Sequence, residues 1–299
     1  MSGQQSRWEM RQGSSKYPSQ LSDLEGEAPP VIYGIGDPDV LSRPMMSIVG
    51  ARRATPYGLA VAEMAGRVAA ECGIVVVSGG ALGCDHAASA AALDYGGKTV
   101  VIPGCGADVV YPRSSKDVFD RAESGGGAVI SIEPWGTTPR RFAFPRRNAI
   151  IAALSKCLFV TEAGNRSGTM STADVAVRLG RTVFAIPGSI FSPLSAGTNK
   201  LISEGAQMIC DEQALETAIS LEYDRLRLVP DGAPGRPQGR LLSALVASPS
   251  RPQELAERLN EDVLDILRSL SDYEAGGLVT KLPDGRYAPS KSYYLGNKG

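Results

Sequence analysis

A chain of 299 residues has room for one large domain and a small second one, because compact domains usually run about 100 to 200 residues. Its 43% hydrophobic and 21% charged content is that of an ordinary globular chain and excludes fibrous or low-complexity classes. The 31 basic and 32 acidic side chains nearly cancel, so any nucleic-acid site must be a local patch rather than a property of the whole surface.

Residues Met1 to Pro30 are polar, rich in Ser, Gln and Gly, and end in Pro29-Pro30, which predicts a flexible arm. No apolar run reaches the roughly 18 residues of a membrane helix, and the start of the chain lacks the apolar stretch of a signal peptide. A cytoplasmic protein without membrane contact is expected. From Met46 onward short apolar runs alternate with helical patterns: Met46 to Val49, Ile74 to Val77, Thr99 to Ile102, Val129-Ile130, Cys157 to Val160 and Thr182 to Ala185. Continuous apolar runs suit strands buried on both faces, as in parallel sheets covered by helices. Val61, Met64, Ala65, Val68 and Cys72 recur at helical spacing between the first two runs, so that segment lays one face on the sheet. The predicted fold is a doubly wound, Rossmann-like α/β domain over residues 31–223.

A Pro- and Gly-rich stretch at 224–239 reads as a linker. Residues 240–299 then show three short helical patterns, Arg240 to Ala247, Pro252 to Leu259 and Asp262 to Glu274. Leu278 to Lys281, a Pro283-Asp284-Gly285 turn and Arg286 to Ala288 follow as a hairpin, which together predicts a winged-helix domain with Ser250 and Gln253 as a capping box. The five cysteines are widely spaced and form no CxxC pair, so buried thiols are expected and a zinc site is not.

Nearly every strand runs into a small-residue turn: Gly50-Ala51-Arg52, Ser78-Gly79-Gly80, Pro103 to Gly106 and Pro187-Gly188-Ser189. One such turn needs only a tight strand-to-helix connection to explain it. Several together, along one edge of a parallel sheet, place helix N-termini where backbone N–H groups meet anions. None is the dinucleotide fingerprint GxGxxG or the P-loop, so NAD and ATP are poor candidates and no cofactor is expected. In Glu162 to Thr169 the Arg166 side chain, the Ser167 and Thr169 hydroxyls and the Gly168 backbone can converge on one phosphate, although Ser167 or Thr169 also serves as a helix cap.

Pro139 to Asn148 is the most informative stretch, holding Arg140, Arg141, Phe142, Phe144, Arg146, Arg147 and Asn148. Cations beside flat rings suit phosphates and unstacked bases respectively. Core phenylalanines with a solvated arginine rim would look alike, and the neighbouring glycine turns decide for single-stranded nucleic acid. His86 follows Asp85 with no Ser or Cys in an activating context, so a nucleophilic triad is not predicted. Asp85, Asp108, Glu133 and Glu162 fall near strand ends, which leaves a carboxylate-based hydrolase open.

As a set the motifs resemble the DNA-processing protein A family (DprA, also called Smf). The resemblance runs from Val31 to about Leu215 through Ile48 to Arg52, Ser78-Gly79, Gly83 with Asp85, Gly104 to Gly106 with Asp108, Tyr111 and Pro112, and Glu133-Pro134. It continues through Phe144 to Asn148, Glu162-Ala163, Ser167 to Thr169, Pro187-Gly188 and Gly197 to Ile202 with Gly205-Ala206. It implies a non-catalytic single-stranded DNA-binding domain that loads RecA recombinase onto incoming strands in natural transformation, acting as a homodimer. Carried over, Arg52, Arg146, Arg147 and Lys200 hold phosphates, Ser167-Gly168-Thr169 caps one, and Phe142 or Phe144 stacks on a base. Leu82 and Ala149 stand where the family often has basic residues, and the first thirty residues are too short and polar for the family's usual N-terminal domain. The competing reading is a phosphoribohydrolase of the cytokinin-activating type, whose PGGxGTxxE motif ends in a required glutamate. Thr172 occupies that position here.

Overall fold

The computed structural model of the chain describes residues 7–227 and 240–295. Strands β1 (Arg7–Arg11), β2 (Val31–Gly36) and β3 (Met45–Val49) are followed by helix α1 (Pro56–Glu71), β4 (Val75–Ser78), α2 (Cys84–Asp94) and β5 (Thr99–Val101). Next come α3 (Lys116–Ser124), β6 (Ala128–Ser131), α4 (Ala143–Leu154), β7 (Cys157–Val160), α5 (Gly168–Arg178), β8 (Thr182–Ala185), α6 (Ala196–Ser203), β9 (Gln207–Met208) and α7 (Glu212–Tyr223). One sheet has the order β1-β2-β6-β5-β4-β3-β7-β8-β9. It is parallel from β6 to β9, with β2 and β1 added antiparallel at one edge.

The apolar runs behave as their composition requires. Met46, Ile48, Val76, Phe159 and Phe184 face the layer containing α1, α2 and α7, with Val61, Ala65 and Val68 of α1 packed on them. Val49, Val75, Val77, Leu158 and Val160 face the other way, onto Ile150, Ile151 and Leu154 of α4 and Ala173 of α5. Burying a side chain of this size stabilises the fold by about 1.5–3 kcal/mol. α1 starts where Thr55 accepts a hydrogen bond from the Gly58 N–H, with Pro56 in its first turn.

The predicted flexible arm differs from the structure over residues 7–30. β1 is an edge strand, Met10, Tyr17, Leu21 and Leu24 are buried in the main core, and the Tyr17 hydroxyl donates to the Pro29 carbonyl at 2.7 Å. Trp8 lies against Gly34 so closely that no Cβ fits there, and its indole N–H donates to the Gly36 carbonyl at 3.0 Å. A few apolar anchors outweigh the polar average, because each finds a site on the sheet edge or under α4.

Beyond residues 228–239, which lie outside the described residues and include most of the expected linker, come α8 (Arg240–Ala247), α9 (Pro252–Leu259) and α10 (Val263–Ala275). An antiparallel pair, β10 (Val279–Lys281) and β11 (Tyr287–Pro289), and a short helix α11 (Lys291–Leu295) complete the chain. Leu242, Leu245, Leu255, Ile266, Leu270 and Tyr287 form a separate core. The cap of α9 differs from the expected Ser250–Gln253 box: Arg251 occupies the N-cap and its N–H donates to the Glu254 carboxylate at 2.8 Å. The small unit rests on α1, where the Tyr57 and Tyr294 rings meet edge to face at 5.3 Å and Lys291 pairs with Glu63.

Candidate nucleic-acid interface

Strand order reverses at β3, which has β4 on one side and β7 on the other. The chain leaves β3 for a helix on one face and leaves β7 for a helix on the opposite face, so the two loops diverge and open a crevice beyond the strand ends. A cleft of about 610 Å³ sits there, lined by Gly50 to Arg53, Ala81, Arg141, Phe144, Arg147, Asn148, Gly164, Arg166 to Thr169, Ser171 and Thr172.

The floor is a buried charge system. Asp85, in the first turn of α2, accepts hydrogen bonds from the Gly50 N–H at 3.3 Å and the Gly79 N–H at 3.1 Å, which ties the ends of β3 and β4 together. Gly79 has to be glycine because a Cβ would stand 1.9 Å from the Arg147 guanidinium and 2.7 Å from the Asp85 carboxylate. Burial raises the Asp85 carboxyl above its ordinary range, and the Arg147 charge opposes that rise. Burial also lowers the Arg147 guanidinium to about 10, while Asp85 opposes it, so the arginine stays protonated at neutral pH. Arg147 is 4% exposed and donates to the Ile102 carbonyl at 2.6 Å. Named from the resemblance as a phosphate holder, Arg147 lies here as a buried positive charge in the lining of the cleft.

Above this floor the Arg52 guanidinium lies 5.2 Å from the centre of the Phe144 ring, and Arg147 lies 5.7 Å from the same centre. Ring and cations form one pile, an arrangement worth roughly 0.5–2 kcal/mol per contact. On the opposite wall Ser167 caps α5, its Oγ accepting from the Met170 N–H at 3.4 Å. The first-turn N–H groups of α5 and the Arg166 side chain face the same cleft, the setting in which a phosphate is held at a helix start. Asn148 joins the walls by donating to the Gly168 carbonyl at 3.2 Å and the Ser171 hydroxyl at 3.1 Å. Among the described residues Arg52, Arg53, Arg141 and Arg166 have no carboxylate partner, which concentrates unneutralised charge on the cleft of a neutral chain.

Other expected site residues fall elsewhere. Arg146, one position from Arg147, turns outward and pairs with Glu133 at 3.2 Å. Lys200 is exposed on α6 and pairs with Glu204 at 3.6 Å. Arg140 and Phe142 are exposed but do not line the cleft, Phe142 at 57% exposure marking the start of α4. The Thr169 hydroxyl is buried and donates to the Gly50 carbonyl at 3.0 Å, so it locks the two loops together and is not available to a phosphate. Ala149 is buried within α4 and Leu82 borders a smaller adjoining pocket, so neither replaces a charge in the cleft itself. Arg53 was missed, although it directly follows Arg52 in a glycine turn.

The carboxylates that left a hydrolase open are held by structural partners. Glu162 accepts from the Thr55 N–H at 2.8 Å and the Thr55 hydroxyl at 2.7 Å, and burial raises it while these bonds oppose the rise. Asp108 pairs with Arg7 at 3.2 Å and accepts from the Gly136 N–H at 2.8 Å. Burial pushes the Cys84 thiol up to about 12 and the Cys105 thiol up to about 11, the opposite of what a nucleophilic thiolate needs. No helix among the described residues is long and apolar enough to cross a membrane.

A sequence profile of the DNA recombination-mediator protein A family matches residues 10–220. The DNA processing protein DprA of Streptococcus pneumoniae is 40% identical over 197 residues, which covers 66% of this chain and 69% of that protein. Protein Smf of Escherichia coli is 32% identical over 284 residues, covering 91% of this chain and 75% of that protein. A structure of DNA processing protein A from Helicobacter pylori, solved for that protein's single-stranded DNA binding mode, is 29% identical. It superimposes with a TM-score of 0.66 over 75% of this chain and 100% of that one.

Proposed function

Since the chain belongs to the DNA recombination-mediator protein A family, we propose that it binds single-stranded DNA in the cleft between β3 and β7 and mediates DNA processing in natural transformation. The observation that carries this reading is the Arg52–Phe144–Arg147 pile facing the capped start of α5. Phosphates settle on Arg52, Arg166 and the helix N-terminus, and a base stacks on the pile. The protein acts by holding the strand rather than by turnover, as a cytoplasmic homodimer that passes the strand to RecA recombinase. The phosphoribohydrolase alternative is disfavoured at its decisive position. Thr172 lines the cleft where a catalytic glutamate would stand, and its hydroxyl donates to the Gly168 carbonyl at 3.2 Å.

Phe144→Ala is expected to weaken single-strand binding by about 1–3 kcal/mol, the contribution of one stacked base. Phe142→Ala leaves affinity and melting nearly unchanged, because that ring stands in solvent outside the cleft. Fluorescence anisotropy with a labelled oligonucleotide checks both, and the proposal is wrong if Phe144→Ala binds as the parent does.

Among the described residues, none of the C-terminal unit lines the cleft. Its third helix, where a helix-turn-helix protein would present basic residues to DNA, instead holds Asp265, Asp272 and Glu274, with Arg268 tied to Asp265 at 3.3 Å. Deleting residues 239–299 is therefore expected to leave single-strand affinity within about twofold, well under the tenfold that 1.4 kcal/mol represents. A tenfold or larger loss with the α/β domain still folded would show that this unit contributes to the interface.

A further inference from the structure

A cavity of about 250 Å³ lies between the α/β domain and the C-terminal unit. Tyr57 of α1, Glu162 after β7 and the loop after β8 form one side, and Val246, Pro289 and Tyr294 of the C-terminal unit form the other. Among the described residues no Arg, Lys or His lines it. Glu162 is only 2% exposed, and its partners, the Thr55 N–H and hydroxyl, hold the carboxylate in place without bringing a positive charge. Gly58 leaves space for it, since a Cβ there would stand 2.4 Å from the carboxylate. Asp85 has the Arg147 charge to offset its burial, whereas among the described residues no Arg, Lys or His pairs with Glu162. A carboxylate buried without a counter-charge is costly, and folds normally pair it.

Ser195, 5% exposed, repeats the pattern on the same cavity wall. It stands at the N-cap of α6, yet its hydroxyl caps no N–H of that helix and makes no hydrogen bond among the described residues. Gly188 makes room for that hydroxyl, because a Cβ there would stand 2.2 Å from it.

We propose that this cavity binds a small organic cation, an amine on an apolar body of one or two rings, with its ammonium group on the Glu162 carboxylate. Each carboxylate oxygen accepts one bond from Thr55 and has a lone pair left for the ligand, and the Ser195 hydroxyl accepts a further N–H. The Tyr57 and Tyr294 rings, which meet edge to face at 5.3 Å, cover the body together with Val246 and Pro289, and a ring beside a cation adds attraction. The space exceeds the roughly 150 Å³ that holds benzene, and boundaries between structural units are favoured places for small-molecule sites. An anion is excluded, because the wall offers a carboxylate and no basic side chain, so the phosphates of a strand or a nucleotide are not the occupant. The proposal is independent of the DNA-binding reading, since cavity and cleft have no lining residue in common.

Calorimetric titration of the full chain with benzylamine, benzyl alcohol and benzoate tests this, the three probes sharing one ring and differing in charge. The parent is expected to bind benzylamine at least about tenfold more tightly than benzyl alcohol, as one charge-assisted contact implies, and not to bind benzoate. Glu162→Gln keeps an acceptor for Thr55 but removes the charge, so amine and alcohol then bind within about twofold of each other. Val246→Trp fills the cavity from the C-terminal side. Val246 is 44% exposed, so this variant melts as the parent does, keeps its single-strand affinity and loses benzylamine. Benzylamine held by the parent no more tightly than benzyl alcohol, or held by Val246→Trp as by the parent, overturns the proposal. Should Glu162→Gln fail to fold, the contrast between the three probes and the Val246→Trp result still decide it.

Discussion

Arg147→Ala is expected to destabilise the α/β domain by roughly 3–5 kcal/mol, the range seen when one partner of a buried charge system is removed. The physical cause is the floor of the cleft. Without the guanidinium, the Ile102 carbonyl loses its donor, and the Asp85 carboxylate keeps two backbone N–H bonds but no positive charge to offset its burial. For a domain of this size the loss corresponds to a fall of about 6–20 °C in Tm. Arg146→Ala serves as the comparison. That side chain is 60% exposed and its pair with Glu133 is worth at most about 1 kcal/mol, so it should melt close to the parent. Combining Arg147→Met with Asp85→Asn removes both buried charges, and the double variant should recover part of the stability lost in Arg147→Met alone. Urea unfolding of the four variants measures this. If Arg147→Ala unfolds as the parent does and loses only DNA affinity, the arginine is a phosphate ligand and not the floor.

The contrast between Arg146 and Arg147 marks how far the sequence could be read. Strand positions were legible because a parallel sheet needs uninterrupted apolar runs, and Met46 to Val49 or Cys157 to Val160 permit little else. Burial within the arginine-rich stretch was not. Successive helical residues rotate by about 100°, so which of two adjacent arginines points inward depends on where the helix begins. α4 begins at Ala143, which leaves Phe142 outside the helix and turns Arg147 inward. The pairing of Lys200 with Glu204 was visible as an i,i+4 spacing, whereas the spending of the Thr169 hydroxyl on Gly50, 119 residues away, was not. Residues 7–30 escaped for a related reason. Their anchors are sparse and lie in an edge strand and a 3-10 helix, so neither the period of a buried helix nor that of a central strand shows.

Arg52 and Arg166 stand on opposite loops of the cleft, after β3 and after β7, with no carboxylate partner among the described residues. Each is expected to contribute about 1.5 kcal/mol through a charge-assisted contact to phosphate, or roughly tenfold in affinity. The two together give about a hundredfold, and because phosphates carry no sequence information the loss falls on all strands alike. Each neutralised phosphate of a single strand also contributes about 0.7 to the slope of log affinity against log salt. The most direct measurement is therefore a salt titration of affinity for one labelled oligonucleotide, single-stranded and annealed, with the parent and the Arg52→Ala, Arg166→Ala double variant. The account predicts that the parent prefers the single strand and that the double variant binds it about a hundredfold more weakly, with a slope shallower by about 1.4. An unchanged slope and affinity in the double variant, or duplex held as tightly as single strand by the parent, would contradict it.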